Sequence, residues 1–167
     1  LNERGMDVTI AIASSQLLSQ TMDRYGADII KNAVESNGIH VLTNSPVKCI
    51  LGDDHVTGVE FESGQTIPAD LVILAKGVRP STILAKTCGI DVDYGILVDE
   101  FMKTSDNDIY AAGDVAEALD LIRGGKVVHA IWPNALEQGR IAGMNMAGAQ
   151  IAYQGGIGMN SAEFFGV

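Results

Sequence analysis

The sequence predicts an α/β fold with a parallel sheet and a small antiparallel meander, and three patterns in its 167 residues support this class. Met6–Ile12 and Ile39–Thr43 are short apolar runs, typical of strands that are buried in a parallel sheet. A helical pattern over Arg24–Asn37 separates them and makes a β-α-β unit. Between Val47 and Pro68, short β-branched pieces alternate with turn residues, as expected of antiparallel strands.

Each of these elements has its own local signal. Apolar residues recur at helical spacing at Ile29, Ile30, Ala33 and Val34, and Gly38 stands where a left-handed C-terminal cap belongs. Clusters of Gly, Asp and Ser separate the strands of the meander. Those strands are predicted over Val47–Leu51, Val56–Phe61 and Gln65–Ile67.

The rest of the chain is predicted to continue in alternating strands and helices. Leu71–Ala75 predicts another buried strand, which ends in a turn at Gly77. Asp108–Asp114 predicts an apolar strand that leads into a helix. A last helix is predicted from Pro133 to about Ala147, because proline suits the first turn of a helix. Small residues are predicted to let this helix pack closely: Ala135, Gly139, Ala142 and Gly143. The shorter predicted elements are a helix over Ser81–Cys88 and strands over Ile96–Val98 and Lys126–Ile131.

The composition argues against several classes of function. The formal net charge is −10 and no basic stripe occurs, so no nucleic-acid partner is expected. No apolar run approaches the roughly 18 residues of a membrane span, so we expect a soluble protein. Cys49 and Cys88 form no Cys-x-x-Cys pair, which argues against a disulfide framework and favours a cytoplasmic location. His40, His55 and His129 form no metal-binding motif.

Two short motifs present groups that suit a ligand. At Gly113–Asp114 the missing Cβ allows close approach, and the carboxylate accepts hydrogen bonds from hydroxyl groups, so a polyol fits better than a phosphate. The helix start at Trp132–Ala135 presents free N–H groups that stabilise an electron-rich oxygen or an anion. Gly77 allows a similar close approach. Taken alone, these patterns favour simpler alternatives, with Asp114 capping a helix and Trp132 lying in the core.

Three longer motifs follow one another along the chain. Leu71–Pro80 is an apolar run that ends in Gly-x-Arg-Pro, Thr104–Asp114 ends in Gly-Asp, and Trp132–Gly143 contains Gln-Gly-Arg. Together they resemble the second half of the pyridine nucleotide-disulfide oxidoreductases, flavoproteins with two dinucleotide-binding domains. Thr104–Asp114 is similar to the second FAD motif of that family. Within the family, the sequence is most similar to NADH oxidases, coenzyme A disulfide reductases, rubredoxin-type reductases and nitrite reductase flavoproteins.

The resemblance implies a three-layer FAD/NAD(P)-binding, Rossmann-like fold that is incomplete in this sequence. It implies that Asp114 hydrogen-bonds the ribityl chain of FAD, that Gly113 lets the cofactor pass, and that Gly77 lines the nicotinamide side. The backbone from Trp132 to Ala135 would face the pyrimidine edge of the flavin, where the helix dipole favours negative charge. FAD and NAD(P)H are therefore the implied cofactors, with no metal and no catalytic side chain assigned.

The resemblance also implies how the chain is divided. Residues 1–80 would form an NAD(P)-binding domain without its first strand and glycine loop. Residues 81–152 would form the second segment of the FAD-binding domain, and 153–167 the start of a C-terminal interface domain. Leu1 would fall inside the helix after the glycine loop, so we expect the sequence to be a fragment. Ile12–Ser15 stands where the family usually has an acidic residue for the adenine ribose, so the sequence does not decide between NADH and NADPH.

The function implied for the whole protein is that of an NAD(P)H-dependent flavin oxidoreductase. Hydride would pass from the nicotinamide to the flavin, and electrons would go on to a disulfide, oxygen or a small redox protein. The whole protein is expected to be a cytoplasmic homodimer, and the 167-residue chain alone is expected to be inactive. The alternative is a non-catalytic α/β interaction or oligomerisation module derived from that fold, which would need neither the glycine loop nor the acidic residue.

Overall fold

The computed structural model describes residues 1–166 and divides them between two units. The first comprises Leu1–Ala75 and the stretch that begins at Ala162, and the second comprises Lys76–Ser161. In the first unit the strands and helices are β1 (Val8–Ala11), α1 (Arg24–Ser36), β2 (Ile39–Leu42), β3 (Val47–Leu51), β4 (Gly58–Phe61) and β5 (Thr66–Pro68). In the second unit they are α2 (Ile83–Thr87), β6 (Ile96–Leu97), β7 (Ala116–Leu119), β8 (Lys126–Val128) and α3 (Trp132–Met146).

The predicted β-α-β order is confirmed in the first unit. β1 and β2 pair in parallel, with Val8 opposite Ile39 and Ala11 opposite Leu42. α1 connects the two strands, because parallel neighbours need a crossover rather than a tight turn. The unit therefore contains the smallest piece from which a doubly wound sheet is built.

α1 ends at the predicted glycine, and its start is capped by a residue that was not predicted. The Asp23 carboxylate accepts a 2.8 Å hydrogen bond from the Gly26 N–H and so caps the helix N-terminus. Gly38, just beyond the other end, has φ of +79°, the left-handed conformation expected there. Ile30 and Val34 are buried on the face of α1 that packs against β2.

β3, β4 and β5 form the predicted antiparallel meander. Val47 lies opposite Phe61, and Val59 lies opposite Ile67. Phe61 and Val59 are buried, so the central strand supplies the apolar side chains of this small sheet. β-branched and aromatic residues suit such a half-buried pleated surface, which is why the pattern predicts the strands well.

The prediction of a buried strand at Leu71–Ala75 is wrong. This stretch has no regular secondary structure, and Leu71, Ile73 and Leu74 are 61%, 66% and 71% exposed. A strand is stable only when a neighbouring strand takes up its N–H and C=O groups. In the first unit the parallel sheet consists of β1 and β2, and no strand within residues 1–166 pairs with Leu71–Ala75. Apolar character alone therefore does not make this segment a strand.

The second unit is built on a three-stranded mixed sheet. β6 pairs with β7 in parallel, and β8 pairs with β7 antiparallel, with Glu117 opposite Val128. One face of α3, its inner face, packs into the core of this unit through Ile141 and Ala142. The core as a whole contains Val98, Met102, Ala111, Ala116, Ala118, Ile141, Ala142 and Tyr153.

The prediction of a strand over Asp108–Asp114 followed by a helix is also wrong. Tyr110 forms only an isolated bridge with Lys103, and the strand β7 begins after Gly113–Asp114, where the helix was expected. Ala and Leu favour helices in isolation. Here β7 instead lies between β6 and β8 and hydrogen-bonds to both, so tertiary pairing overrides local propensity. Asp114 therefore caps no helix.

The described part of the chain contains no metal cluster, no disulfide and no helix suited to span a membrane. Within residues 1–166 no group of three or more His, Cys, Asp and Glu side chains is arranged to hold a metal ion. Cys49 and Cys88 are free and exposed. Over the same residues, no helix combines the length and the apolar character that a membrane crossing requires.

The predicted close packing of α3 through its small residues holds for only some of them. Ala142 is buried, whereas Gly139 and Gly143 are exposed and have nothing within 4 Å of where a Cβ would lie.

We expect Gly139→Ala to raise the free energy of unfolding by about 0.5–1 kcal/mol, because alanine loses less backbone entropy in a helix. Urea denaturation measures this change. Gly113→Ala is the contrasting variant: at φ of +81° it should destabilise, and a loss of stability in Gly139→Ala would contradict the prediction.

Candidate functional site

The Gly113–Asp114 motif forms a tight turn that exposes the carboxylate. Gly113 has φ of +81°, a conformation that side chains with a Cβ rarely adopt. The Ala116 N–H donates a 2.9 Å hydrogen bond to the Gly113 carbonyl, which closes the turn before β7 begins. Asp114 is exposed, and within residues 1–166 no hydrogen bond or ion pair occupies its carboxylate. The motif therefore presents a free acceptor at the surface.

The segment that leads to this turn is anchored on the core. The Ala111 N–H donates a 3.1 Å hydrogen bond to the carbonyl of Met102, whose side chain is completely buried. Before it, the Thr104 hydroxyl lies 3.0 Å from the Ile109 carbonyl and closes a compact loop. Hydrogen bonds of this kind replace those that a strand would make. The segment before Gly113 therefore has no regular secondary structure, but its hydrogen bonds hold it in place.

The structure brings the turn together with the first part of α3. A Cβ added at Gly113 would lie 3.5 Å from the Cβ of Ala135, an ordinary van der Waals distance, so the turn lies directly beside the helix. Glycine is favoured at this position by its φ of +81° and not by lack of space. The Gly113 N–H also donates a 2.8 Å hydrogen bond to Oε1 of Gln138, one turn further along α3. Gly113, Asp114 and Ala135, three of the predicted cofactor residues, therefore belong to one local arrangement.

Trp132 is the first residue of α3 and lies at the surface. Its side chain is 81% exposed, so the interpretation of Trp132 as a core residue is wrong. Ile131 occupies the N-cap position and makes no side-chain cap hydrogen bond, and Pro133 follows in the first turn. The N–H groups of Trp132 and Asn134 therefore have no side-chain cap at the start of this 15-residue helix. The Ala135 N–H, which was also expected to be free, donates to the Ile131 carbonyl at 3.1 Å. Together with the dipole, the uncapped N–H groups favour an electron-rich oxygen.

Gly77 is in a different local setting. It has φ of +80° and is exposed, and no atom lies within 4 Å of where its Cβ would be. The strand expected to precede it is absent, so Gly77 does not end a strand as predicted. Its role beside a nicotinamide remains a prediction.

A buried acidic residue, Asp120, was not predicted by sequence. Its Oδ1 accepts hydrogen bonds from the N–H groups of Arg123 (2.6 Å) and Ile122 (2.7 Å), which fixes the turn between β7 and β8. Its Oδ2 lies 3.2 Å from Nε2 of His129, although the ring N–H is not aimed along a hydrogen bond. The hydrogen bond from the Arg123 N–H is the main reason why the pKa of Asp120 is lowered. The hydrogen bond from the Ile122 N–H and the charge of His129 lower this pKa further, whereas burial of the carboxyl group raises it.

The lowered pKa of Asp120 predicts loss of stability in acid. A carboxyl group whose pKa is lower in the folded state stabilises the fold above its ordinary value of 3.8, and this contribution is lost as the pH falls through the folded-state value. Asp120→Asn should therefore lower Tm by about 4 °C at neutral pH and by progressively less below about pH 4. Thermal unfolding followed by circular dichroism measures the difference. A gap that stays constant into strong acid would contradict the assignment.

Gln138 was noticed in the sequence only as part of the Gln-Gly-Arg run, and its buried contact was not predicted, although a signal for it was present. It is only 1% exposed, and it lies at helical spacing from Ala135, Ile141 and Ala142 on the inner face of α3. A polar side chain on an apolar helix face must find partners within the fold. Asn145, seven residues further along, shows the same signal and bonds to the carbonyls of Phe101 and Ile151.

The described residues fit an FAD site on three observations. A free carboxylate at Asp114 suits the hydroxyl groups of a ribityl chain, and the missing Cβ of Gly113 leaves room beside it. The uncapped start of α3 at Trp132 suits the electron-rich edge of a flavin. For a nicotinamide nucleotide, the residues after β1 are Ile12–Ser15, which carry no acidic group. The FAD fit therefore rests on more features than the nucleotide fit.

Comparison with known proteins gives a consistent result. Residues 1–139 match the protein-family model described as "Pyridine nucleotide-disulphide oxidoreductase". The NADH oxidase of Methanocaldococcus jannaschii is 36% identical over 151 residues, which cover 90% of this chain and 34% of that protein. A solved NAD-dependent persulfide reductase from A. fulgidus has a TM-score of 0.90 at 32% identity and covers 96% of this chain and 30% of its own.

A second solved structure also has a similar fold. It is an FAD-dependent pyridine nucleotide-disulphide oxidoreductase from Desulfovibrio vulgaris, with a TM-score of 0.85 at 32% identity, covering 90% of this chain and 38% of its own. The chain thus spans about a third of the length of these relatives. The similarities confirm the predicted FAD/NAD(P)-binding, Rossmann-like fold class.

Proposed function

The chain belongs to the pyridine nucleotide-disulphide oxidoreductase family, and from this we propose that it is part of an FAD-dependent NAD(P)H oxidoreductase. The observation that carries the proposal is the exposed Asp114 carboxylate on a left-handed glycine turn beside the start of α3. The names of the relatives support it, since they include an NADH oxidase, an NAD-dependent persulfide reductase and an FAD-dependent enzyme.

In this proposal the chain holds and tunes the flavin. Asp114 accepts hydrogen bonds from ribityl hydroxyl groups, and Gly113 lets the cofactor lie close to the backbone. The N-terminus of α3, from Trp132 to Ala135, stabilises negative charge through the helix dipole and the N–H groups of Trp132 and Asn134. Pro133 has no N–H, and the Ala135 N–H donates to the Ile131 carbonyl. When bound, FAD supplies the capacity to accept hydride from NAD(P)H and to pass electrons to a disulfide, oxygen or a small redox protein.

Further parts of the proposal concern the whole protein. Residues 1–80 contribute an NAD(P)-binding domain, with Gly77 on the nicotinamide side. Residues 81–152 contribute the second segment of an FAD-binding domain, and 153–167 begin an interface domain. The whole protein is a cytoplasmic homodimer. The relatives named above differ in their described activities, so we leave the electron acceptor at the level of these three classes.

A second candidate function is a non-catalytic interaction module. It is favoured by the exposed apolar side chains of Leu71, Ile73 and Leu74, because exposed apolar groups are available for contact with another chain. The absence of an acidic group in Ile12–Ser15 also favours it.

Titration of the 167-residue chain with FAD and with NADH distinguishes the two candidates. An FAD site at Asp114 predicts saturable quenching of flavin fluorescence. A chain that folds and self-associates but binds neither cofactor supports the module instead. We also expect NADH or NADPH oxidation by the chain alone to be slower than about 1 per second, and a faster rate would contradict the proposed division of the active site.

A further inference from the structure

We infer that Gln138 is a positioning residue that holds the Gly113–Asp114 turn in the conformation that receives the flavin. The inference rests on the proposed function for its consequence, but the contact itself is present in the protein without ligand. Gln138 lies in α3, is 1% exposed, and accepts the Gly113 N–H at 2.8 Å. It thereby joins the turn to the helix that forms the other side of the proposed site.

The chemistry of the partners fixes which way the Gln138 amide points. The Gly113 N–H can only donate, so it requires the amide oxygen, Oε1. The amide nitrogen, Nε2, is then directed at the hydroxyl oxygen of Tyr153, 3.4 Å away. Tyr153 is itself held in place, because it is buried and its backbone N–H donates to the Glu100 carbonyl at 2.6 Å.

Close packing around Tyr153 keeps this orientation. A Cβ at Gly156 would lie 2.6 Å from the Tyr153 hydroxyl and 2.8 Å from Nδ2 of Asn134, so the glycine leaves room for both groups. Asn134, in the first turn of α3, donates to the Ile157 carbonyl at 3.2 Å. The start of α3 and the amide of Gln138 are therefore fixed by the same surroundings.

The consequence for the turn follows from the cost of an unpaired N–H. Without an acceptor at position 138, the Gly113 N–H is left in a partly buried place with no partner, which is unfavourable. The turn then shifts to reach water or another acceptor, and Asp114 moves with it because it is the next residue. Gln138 thus acts on the flavin through the turn, without touching the cofactor itself.

The test compares variants of Gln138 with a matched control on the same helix. Gln138→Met keeps the length of the side chain but removes the acceptor, and Gln138→Glu keeps an acceptor oxygen. Asn145→Leu is the control, since Asn145 is a buried amide of α3 that bonds elsewhere, to Phe101 and Ile151. The two measurements are hydrogen exchange at the Gly113 amide by NMR without ligand, and the Kd for FAD by flavin fluorescence.

The expected results separate positioning from general stability. Gln138→Met should speed exchange at the Gly113 amide and raise the Kd for FAD, each about tenfold. Gln138→Glu should keep the Kd within about threefold of the parent, and Asn145→Leu should change neither measurement by more than that. The inference is overturned if Gln138→Met leaves Gly113 unchanged, or if Asn145→Leu has an equal effect on Gly113 and FAD.

Two further outcomes are also decisive. If Gln138→Met does not fold, Tyr153→Phe is used in its place, because loss of the tyrosine hydroxyl removes the group that orients the Gln138 amide. Faster hydrogen exchange at the Gly113 amide in Tyr153→Phe then supports the inference, and an unchanged exchange rate contradicts it. If the parent chain binds no FAD, the proposed function fails for this chain, while exchange at the Gly113 amide still decides whether Gln138 positions the turn.

Discussion

Replacing Asp114 by alanine is expected to weaken FAD binding by about 10- to 100-fold, because a charged acceptor of hydroxyl hydrogen bonds contributes about 1.5–3 kcal/mol. The carboxylate is exposed and has no partner among the described residues, so the substitution removes no contact that holds the fold. Asp114→Asn keeps an acceptor oxygen without the charge, so its Kd for FAD should lie between those of the parent and Asp114→Ala. A fluorescence titration with FAD gives the three Kd values.

A matched control for this substitution is Asp93→Ala. Asp93 is an exposed acidic residue of the same unit and lies outside the turn, so its loss changes the net charge equally. We expect its Kd for FAD to equal that of the parent. Equal Kd values for the parent and Asp114→Ala would show that the turn does not hold the flavin.

Met102→Ala is expected to cause the largest loss of stability. The Met102 side chain is 0% exposed and belongs to the core of the second unit, so truncation loses apolar burial and leaves a cavity. Such substitutions cost about 2–5 kcal/mol. Its carbonyl also accepts the Ala111 N–H, so the approach to Gly113 should loosen as well. Urea denaturation should show a lower midpoint with an unchanged slope.

Met146→Ala provides the comparison for Met102→Ala. Met146 lies at the end of α3 in the same unit and is 68% exposed. Since its side chain loses little burial, the free energy of unfolding should change by less than about 0.5 kcal/mol. Similar losses in the two variants would show that Met102 is not a core residue in solution.

Elements defined by their own residues could be predicted from the sequence. α1 has an apolar stripe and a glycine just beyond its C-terminus, and the structure uses both. α3 begins beside Pro133, and the meander follows its β-branched pieces. In each case the signal and the structure lie within a few residues of one another, so no distant contact is needed to interpret it.

Elements that depend on distant partners could not be predicted in this way. Leu71–Ala75 has the composition of a strand, but no strand in residues 1–166 pairs with it. Ala116–Leu119 has the composition of a helix, but it pairs between β6 and β8. Backbone hydrogen bonding to a neighbouring strand decides both outcomes, and a single sequence window carries no information about that neighbour.

In the candidate site, too, residues with a local signal were predicted and contacts between distant residues were not. The sequence singled out Gly113, Asp114 and Ala135, and the structure places them in one arrangement. It gave no contact for Gln138 or Asp120, because their partners become visible only when helix, turn and strand are packed together. Buried polar residues on an otherwise apolar face are the signal that would have identified Gln138.

We propose that this chain is part of a flavoprotein that is reduced by a nicotinamide nucleotide. The most direct test is to purify the whole gene product that contains this chain and to add NADH or NADPH without oxygen. We expect a yellow protein whose flavin absorption bleaches on addition of one or both nucleotides. A colourless protein that also fails to take up added FAD would contradict the proposed function.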